Sequence, residues 1–226
     1  MTKTDSYEAL SHELAEAVVK QLREKPDSAF GLPTGRTPRG CYELLSSSSG
    51  RGTLDWSRAR TFQLDEYLDP ADASATFQHF LESNLFNSTN LPAKNRFNPR
   101  DCEDYDQLIA ATGGLDLTVL GIGRNGHIAF NEPGTIKESY THCVWLTEST
   151  RSANKSYFNG QLPVPKRAIT MGIETILQSR KLILIASGIE KREILERAML
   201  GPVTPEIPAS FLSLHPHVTV ITDFDI

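Results

Sequence analysis

Residues 115–134 read LDLTVLGIGRNGHIAFNEPG, a mainly apolar run that leads at once into a glycine-rich loop. A short apolar run that ends in glycine is typical of a buried strand in a parallel sheet. Other short apolar runs in the chain are Ala29–Leu32, Thr61–Leu64, Cys143–Leu146, Leu182–Ala186 and Val218–Ile221. Together with Leu115–Leu120, these runs predict the strands of one open sheet.

Segments with helical spacing of apolar residues lie between the predicted strands. The clearest is Tyr7–Leu22, in which leucine and valine recur every three or four residues. The other predicted helices are Pro38–Leu45, Ala75–Phe86, Ile173–Ser179 and Ile189–Leu200. This alternation predicts an α/β fold, Rossmann-like, with a mainly parallel sheet and helices on both faces. The serine-rich stretch 46–52, SSSSGRG, is expected to be a surface loop.

Length and composition limit the class of protein. A chain of 226 residues is compatible with a single α/β domain, so we expect one domain over residues 1–226. The net charge of −5 gives no long-range attraction to nucleic acid or to an anionic membrane, and we expect neither as a partner. Three scattered cysteines suggest no disulfide framework or metal site, and the absence of an export signal or an apolar span predicts a cytoplasmic location.

The first predicted strand ends in a turn that could hold an anion. Residues 33–38 read PTGRTP, in which Thr37 suits a helix cap and Pro38 the first helical position. Glycine lets backbone N–H groups curl toward a phosphate, and Arg36 can add a guanidinium group. The turn lacks the GK[ST] ending of a Walker loop, and a plain capped turn is equally compatible with the sequence.

Two acidic residues follow the second predicted strand. Asp65 and Glu66 come directly after Thr61–Leu64, and the carboxyl ends of parallel strands border the ligand crevice of such sheets. A buried carboxylate there can act as a general base. The alternative is solvated surface charge.

The loop after Leu120 contains a GxGxxG pattern at Gly121, Gly123 and Gly126. Pro133-Gly134 cuts short any helix that starts there, whereas a dinucleotide fold needs a full crossover helix, so we do not expect NAD binding. The same loop places His127 near Asn125 and Glu132. An imidazole beside a carboxylate is suited to proton transfer near neutral pH, although a lone histidine is more often structural.

A lysine lies in the first turn after the strand Leu182–Ala186, in the sequence SGIEK that ends at Lys191. A cation is disfavoured at a helix N-terminus, so its presence is easier to understand if an anion binds beside it. The alternative is an exposed lysine tolerated at small cost.

The motifs GLPTGRTP, TFQLDEYL, LGIGRNGHIAFNEPG, VPKRAITMGI, SGIEK and IPASFLSLHPHVTVI resemble, in order along nearly the whole chain, the glucosamine-6-phosphate deaminase family. GHIAFNEPG with LDEY distinguishes them from the related 6-phosphogluconolactonases, whose loop typically reads GHTASLFP. The chain looks like a short form without the C-terminal extension of allosteric hexameric members. The resemblance implies a deaminase/6-phosphogluconolactonase type of fold and conversion of glucosamine 6-phosphate and water to fructose 6-phosphate and ammonia. It also implies a phosphosugar substrate, no organic cofactor, no catalytic metal, and a monomer or small homo-oligomer.

The resemblance also implies roles for residues of the catalytic motifs. Asp65 would move the proton from C2 to C1 of the sugar, and His127 would help to open the ring. Asn125 and Glu132 would orient the imidazole. Many members have aspartate at the position of Asn125, and an amide stabilises the charged imidazole less well, so we expect His127 to titrate lower here.

A second set of residues is expected at the phosphate end: Thr34, Gly35, Arg36, Thr37 and Lys191. The segment 153–158 reads ANKSYF where the family usually has ANSRFF, so Ser156 replaces a phosphate-binding arginine. Arg36 occupies a position that is usually small, and our hypothesis is that it replaces the lost cation.

The sequence leaves several functions open. The altered phosphate residues could instead mark galactosamine 6-phosphate as the substrate. Lactone hydrolysis is a second alternative, and a non-catalytic phosphosugar sensor is a third. Residues 151–167 could form a mobile cover over the site or an ordinary long connection.

Overall fold

The computed structural model describes residues 1–154 and 164–226. The helices are α1 (Tyr7–Glu24), α2 (Arg39–Gly50), α3 (Phe77–Asn84), α4 (Tyr105–Ala111), α5 (Glu148–Asn154), α6 (Ile173–Leu177) and α7 (Arg192–Leu200). The strands are β1 (Thr2–Lys3), β2 (Ala29–Leu32), β3 (Arg60–Gln63), β4 (Asp65–Tyr67), β5 (Arg96–Phe97), β6 (Leu117–Gly121), β7 (His142–Trp145), β8 (Arg167–Thr170), β9 (Leu182–Ala186) and β10 (Val218–Thr222). No helix in these two ranges is long and apolar enough to cross a bilayer.

Seven strands form one parallel sheet in the order β1-β10-β9-β6-β2-β3-β5. The predicted α/β class is confirmed, because helices cover both faces of this sheet. On one face, Leu14 of α1 and Tyr42 of α2 pack with Phe30 of β2 in a shared apolar cluster. On the other face, helices α4, α6 and α7 contribute to a second cluster that includes Leu120 and Leu184.

A smaller antiparallel sheet in the order β4-β8-β7 lies beyond the main sheet. The prediction that Cys143–Leu146 belongs to the parallel sheet was therefore wrong. Exposure alternates along β7, with Cys143 and Trp145 on the solvent side. Such alternation is typical of an antiparallel sheet with one wet face, whereas a parallel strand is buried on both faces.

The expected surface loop at 46–52 was also wrong, because α2 continues through the serine run to Gly50. Two serine side chains of this run form hydrogen bonds within the protein instead of with water. Ser46 Oγ donates to the carbonyl oxygen of Asn84 at 2.8 Å, and Ser49 Oγ accepts the indole N–H of buried Trp56 at 3.1 Å. Packing contacts thus override the low helix propensity of serine.

Thr37 does not cap α2 as predicted. The helix begins at Arg39, after Pro38, and the preceding turn closes through a backbone bond from Arg39 N to Arg36 O at 3.2 Å. The helix begins close to the position that the sequence indicated, but no side-chain hydrogen bond from Thr37 caps it.

Candidate active site

The four strand ends singled out in the sequence lie on adjacent parallel strands, β9, β6, β2 and β3. Their carboxyl ends therefore meet at one edge of the sheet. The chain winds from β2 toward β3 in one direction and from β6 toward β9 in the other, so the topological switch point lies between β2 and β6. Ligand crevices of open α/β sheets form at this point. Gly31 permits the close approach there, because a Cβ atom on it would lie 2.5 Å from Thr118 Oγ1.

The loop after β6 is a tight turn that supports His127. Gly123 N donates to the carbonyl oxygen of His127 at 2.9 Å, and Gly126 adopts φ +84°, which favours glycine. A Cβ atom on Gly123 would lie 2.2 to 2.4 Å from three atoms of the His127 ring. The imidazole therefore packs directly against the Gly123 backbone, so a larger residue at that position would have to displace the ring.

A chain of hydrogen bonds orients the imidazole. The Asn125 amide nitrogen donates to Glu132 Oε2 at 2.7 Å, which leaves the amide oxygen facing His127 Nδ1 at 2.6 Å. An amide oxygen can only accept, so Nδ1 carries the hydrogen and Nε2 of the neutral ring is an acceptor. The hydroxyl of Thr150 donates to Glu132 in turn and receives a bond from Thr147 Oγ1 at 3.0 Å. The expected grouping of Asn125, His127 and Glu132 is thus present, and Thr147 and Thr150 extend it.

The environment of His127 favours its neutral form. Burial lowers the pKa of His127 below its usual value. The Glu132 carboxylate, 3.8 Å from Nδ1, raises that pKa, and the Lys191 ammonium lowers it. The net shift is downward. That this pKa lies lower than in relatives with aspartate at position 125 stays a prediction.

The glycine-rich loop is fastened to the antiparallel sheet through Thr170. Phe130 N donates to Thr170 Oγ1 at 3.0 Å, and the buried Asn131 amide donates to the carbonyl oxygen of Met171 at 2.8 Å. Thr170 is also the backbone partner of Asp65 across β4 and β8. The loop that carries His127 and the strand that carries Asp65 are thus held by the same residue.

Asp65 is a buried carboxylate without hydrogen-bond donors. Its exposed fraction is 8%, and its side chain accepts no hydrogen bond from any residue of the described ranges. Burial, together with the neighbouring charge of Glu66, raises the pKa of Asp65 to about 8. The interpretation of this acidic pair as solvated surface charge is therefore wrong for both residues, since Glu66 is fully buried.

The turn after β2 has the geometry expected of an anion site. Gly35 adopts φ +110°, and two tyrosine hydroxyls hold the turn: Tyr42 donates to Pro33 O at 2.6 Å and Tyr7 to Arg36 O at 3.0 Å. The N–H groups of Thr34, Gly35 and Thr37 find no acceptor among the described residues. Such a row of N–H groups can receive a phosphate.

Lys191 approaches the same edge from β9. It closes a 3₁₀ turn, Ile189–Lys191, and its ammonium donates to the carbonyl oxygen of Ile122 at 2.8 Å. Burial lowers the pKa of Lys191, and the positive charge of Arg124 lowers it further. Arg124 lies within the glycine-rich loop but received no role from the sequence, because a single arginine beside glycines has no distinctive spacing.

Two cavities adjoin this edge. A cavity of about 250 Å³ is lined by Thr34, Gly35, Tyr67 and Phe77 among others. A cavity of about 500 Å³ is lined by Glu132 and Thr147 among others. Neither lining includes Asp65, His127 or Lys191, as far as the described residues define it. An aromatic cluster separates the two spaces, since Phe130 lies 5.7 Å from Tyr67 and 5.8 Å from Phe77 between ring centroids.

Some sequence predictions concern residues outside the described ranges. One concerns Ser156. The other concerns the predicted cover 151–167, of which residues 155–163 lie outside the described ranges. Within the described ranges, no group of three histidine, cysteine or acidic side chains is arranged to hold a metal ion.

Comparisons with known proteins agree over nearly the whole chain. The family model for glucosamine-6-phosphate isomerases/6-phosphogluconolactonase matches residues 1–221. A glucosamine-6-phosphate deaminase of Lachnoclostridium phytofermentans is 44% identical over 97% of both chains, and one of Rhodopirellula baltica is 44% identical over 96% of this chain and 90% of the relative. A solved monomeric glucosamine-6-phosphate deaminase has a TM-score of 0.92 at 38% identity, covering 98% of this chain and 97% of its own. A 6-phosphogluconolactonase from Trypanosoma cruzi, at 20% identity, TM-score 0.77 and coverage of 98% and 92%, shares the fold.

Replacing Gly123 by alanine is expected to displace the His127 ring, because the new methyl group would occupy the space of the imidazole. In NMR spectra of the folded protein, the His127 ring resonances should shift. Gly121→Ala is the matched control, since a Cβ atom there meets no described atom within 4 Å. Unchanged His127 resonances in Gly123→Ala would contradict this packing.

Asn125→Asp is expected to raise the pKa of His127 by about one unit or more, because a negative charge next to Nδ1 favours the protonated ring. Glu132→Gln should act in the opposite direction, since it removes the charge that raises this pKa. Both shifts can be measured by NMR titration of the imidazole. If both variants moved the pKa in the same direction, the electrostatic account would be wrong.

Proposed function

The chain belongs to the family of glucosamine-6-phosphate isomerases and 6-phosphogluconolactonases, and on this basis we propose that it is a glucosamine-6-phosphate deaminase. The proposed reaction converts glucosamine 6-phosphate and water to fructose 6-phosphate and ammonia. The curated relatives and the solved structure with high similarity carry that activity in their names. The likeness to 6-phosphogluconolactonases, at about half that identity, supports the shared fold.

The observation that supports the proposal best is that two proton-accepting groups, His127 and Asp65, lie on a loop and a strand that are joined through Thr170 at one edge of the sheet. His127 presents an Nε2 acceptor through the bonds of Asn125 and Glu132. Asp65 is a buried carboxylate with a raised pKa. An aldose–ketose isomerase that first opens a ring needs both kinds of group.

Ring opening is the first step of the proposed mechanism. Nε2 of His127 takes the proton of the anomeric hydroxyl, and the same proton is returned to the ring oxygen as the C1–O5 bond breaks. The products are an open-chain aldehyde and the neutral imidazole. The low pKa of His127 suits this role, because the ring must begin as an acceptor.

Isomerisation and deamination follow from the open chain. Asp65 removes the proton from C2, which the adjacent aldehyde makes acidic, while the ammonium group on C2 gives one proton to O1, so that an enolamine forms. Asp65 then returns its proton to C1. The nitrogen at C2 then becomes a protonated imine, water adds to C2, and the C2–N bond breaks to release ammonia. Because the ionised form of Asp65 is the base, and its pKa is about 8, turnover should rise with pH toward that value.

The phosphate group is proposed to bind between the turn after β2 and Lys191. Backbone N–H groups at Thr34, Gly35 and Thr37 and the Lys191 ammonium supply donors from two sides. Arg36 is exposed at the tip of this turn, and its backbone is held by Tyr7. We therefore retain the proposal that Arg36 supplies the positive charge that the family usually places at position 156.

The remaining parts of the proposal concern the setting of the enzyme. Residues 1–226 are proposed to act as one catalytic domain in the cytoplasm, without an organic cofactor or catalytic metal. The similar solved deaminase is monomeric, which supports a monomer or small homo-oligomer. Galactosamine 6-phosphate is a second candidate substrate, because the phosphate-end residues depart from the family pattern. Lactone hydrolysis and non-catalytic phosphosugar sensing are two competing functions that the same fold could support.

Purified protein should release ammonia and a ketose phosphate from glucosamine 6-phosphate. Asp65→Asn should lower kcat by at least about 100-fold, because it removes the general base. The control is Asp225→Asn, which alters an exposed acid paired with Lys3 and should keep full activity. Parallel assays use galactosamine 6-phosphate and 6-phosphogluconolactone. If only galactosamine 6-phosphate released ammonia, that sugar would be the substrate. If the protein hydrolysed the lactone and released no ammonia from either amino sugar, the proposed deamination would be wrong.

Arg36→Gly should raise KM for the phosphosugar by about 10- to 100-fold, the equivalent of a charge-assisted hydrogen bond of roughly 1.5 to 3 kcal/mol. It should change the affinity for an unphosphorylated analogue much less. Arg39→Ala is the matched control, because Arg39 is a neighbouring exposed arginine paired with Glu43 at 3.2 Å. Equal losses with both ligands would show that Arg36 does not contact the phosphate.

A further inference from the structure

Glu66 is a fully buried carboxylate for which the proposed mechanism has no use. It follows Asp65 on β4 and has an exposed fraction of 0%. Backbone N–H groups of Tyr67 and Phe77 donate to its Oε1 at 2.8 and 3.0 Å. Three donors reach Oε2: Gln78 N at 2.8 Å, Gln63 Nε2 at 3.0 Å and Asn98 Nδ2 at 3.2 Å.

This set of partners fits only the ionised carboxylate. A protonated acid would need an acceptor for its O–H, and all five partners are donors. Two of them, Phe77 N and Gln78 N, are the first N–H groups of α3, whose N-terminus carries partial positive charge. No lysine or arginine of the described ranges forms a salt bridge with Glu66, so the negative charge is held by dipoles alone.

Asp65 lies in the opposite environment. The two carboxylates are consecutive on one strand, so their side chains point to opposite faces but remain close. Glu66 accepts five hydrogen bonds, whereas Asp65 accepts none from the described residues. Adjacent acids with such different surroundings divide into one that stays charged and one that resists charging.

We propose that Glu66 is a positioning residue that acts through Asp65: its buried negative charge opposes ionisation of Asp65 and so makes that carboxylate a stronger base toward the C2 proton. The inference rests on the proposed function. Because proton-transfer rates follow the strength of the base, a stronger base at position 65 speeds removal of the weakly acidic C2 proton.

Other charged groups near β4 have partners of their own. On the packed elements these groups are His79 and Glu82 of α3, Arg100 and Asp101 of the 3₁₀ turn Pro99–Asp101, and Arg167 of β8. Tyr105 of α4 is close enough to Asp65 to interact with its charge, and Asp106 follows it. His79 Nε2 lies 3.4 Å from Ser83 Oγ. Glu82 accepts from Gln78, Arg100 contacts Asp101, and Arg167 contacts Asp69. Asp106 accepts from Thr141 and Thr175, and the Tyr105 hydroxyl donates to two carbonyl oxygens. Of the charged groups described, Glu66 is the one whose charge raises the pKa of Asp65.

The test compares the pH profiles of kcat/KM for the wild type, Glu66→Gln and Glu66→Asp, with glucosamine 6-phosphate and ammonia detection. Glu66→Gln keeps the size of the side chain but removes its charge. The acid limb of its profile should move to lower pH by about one unit or more. Above the limb, kcat/KM should fall by roughly three- to tenfold, because Asp65 becomes a weaker base.

Glu66→Asp keeps the charge but shortens the side chain, so the acid limb should stay near its wild-type position even if thermal stability falls. A purely structural role for Glu66 predicts loss of stability in both variants without movement of the limb. An unmoved limb in Glu66→Gln would overturn the inference. Absence of ammonia release by the wild type would instead overturn the proposed function.

A measurement on the wild type covers the case in which Glu66→Gln does not fold. Carboxyl carbon NMR should show the Asp65 signal titrating with a midpoint near pH 8. A midpoint at the ordinary value of an aspartate would overturn the inference without any variant.

Discussion

The arrangement of the active edge depends on one buried residue, Thr170. Its hydroxyl accepts the N–H of Phe130, and its backbone pairs with Asp65 on one side and His142 on the other. A buried N–H without an acceptor costs about 1 to 3 kcal/mol, so the glycine-rich loop is docked where Thr170 can satisfy it. The adjacent bond from Asn131 to Met171 O fixes the loop a second time. Through this corner, a loop of the parallel sheet and a strand of the antiparallel sheet present their side chains together.

The ionisable groups at this edge have different surroundings, and their proposed tasks differ accordingly. Asp65 accepts no hydrogen bond from the described residues and its pKa is raised, whereas Glu66 accepts five hydrogen bonds, a set of partners that fits its ionised form. His127 is kept neutral by burial, with its Nδ1 hydrogen directed at an amide oxygen. The ionisation of each group follows from its burial and from the donors, acceptors and charges around it rather than from the type of side chain alone. That is the physical basis for assigning base and acceptor roles to these groups.

Much of this edge could be predicted from the sequence, because carboxyl ends of parallel strands converge. Asp65, His127 and Lys191 are far apart in the chain, yet each follows an apolar run whose strand lies in the stretch β9-β6-β2-β3 of the parallel sheet. The antiparallel sheet could not be predicted in the same way. The short strand β4 carries a polar sequence, DEY, and its partner β8 is defined only by long-range pairing. The side-chain network was also beyond the sequence, since Thr147 and Thr150 lie about 20 residues from His127 and no periodicity connects hydroxyl groups to an imidazole. The sequence could not distinguish Glu66 from Asp65, because the N–H groups of α3 that bind Glu66 are brought to it only by the fold.

Lys191, which lies near Arg124, influences the ionisation of His127. Lys191 and Arg124 repel one another, and the charge of Lys191 lowers the pKa of His127. The chain as a whole carries a net negative charge, so this local positive charge is not part of a generally basic surface. A dianionic phosphate bound at Lys191 would relieve the repulsion and would cancel the effect of Lys191 on the imidazole. Substrate binding would thereby raise the affinity of His127 for the proton that, in the proposed mechanism, it carries from the anomeric hydroxyl to the ring oxygen.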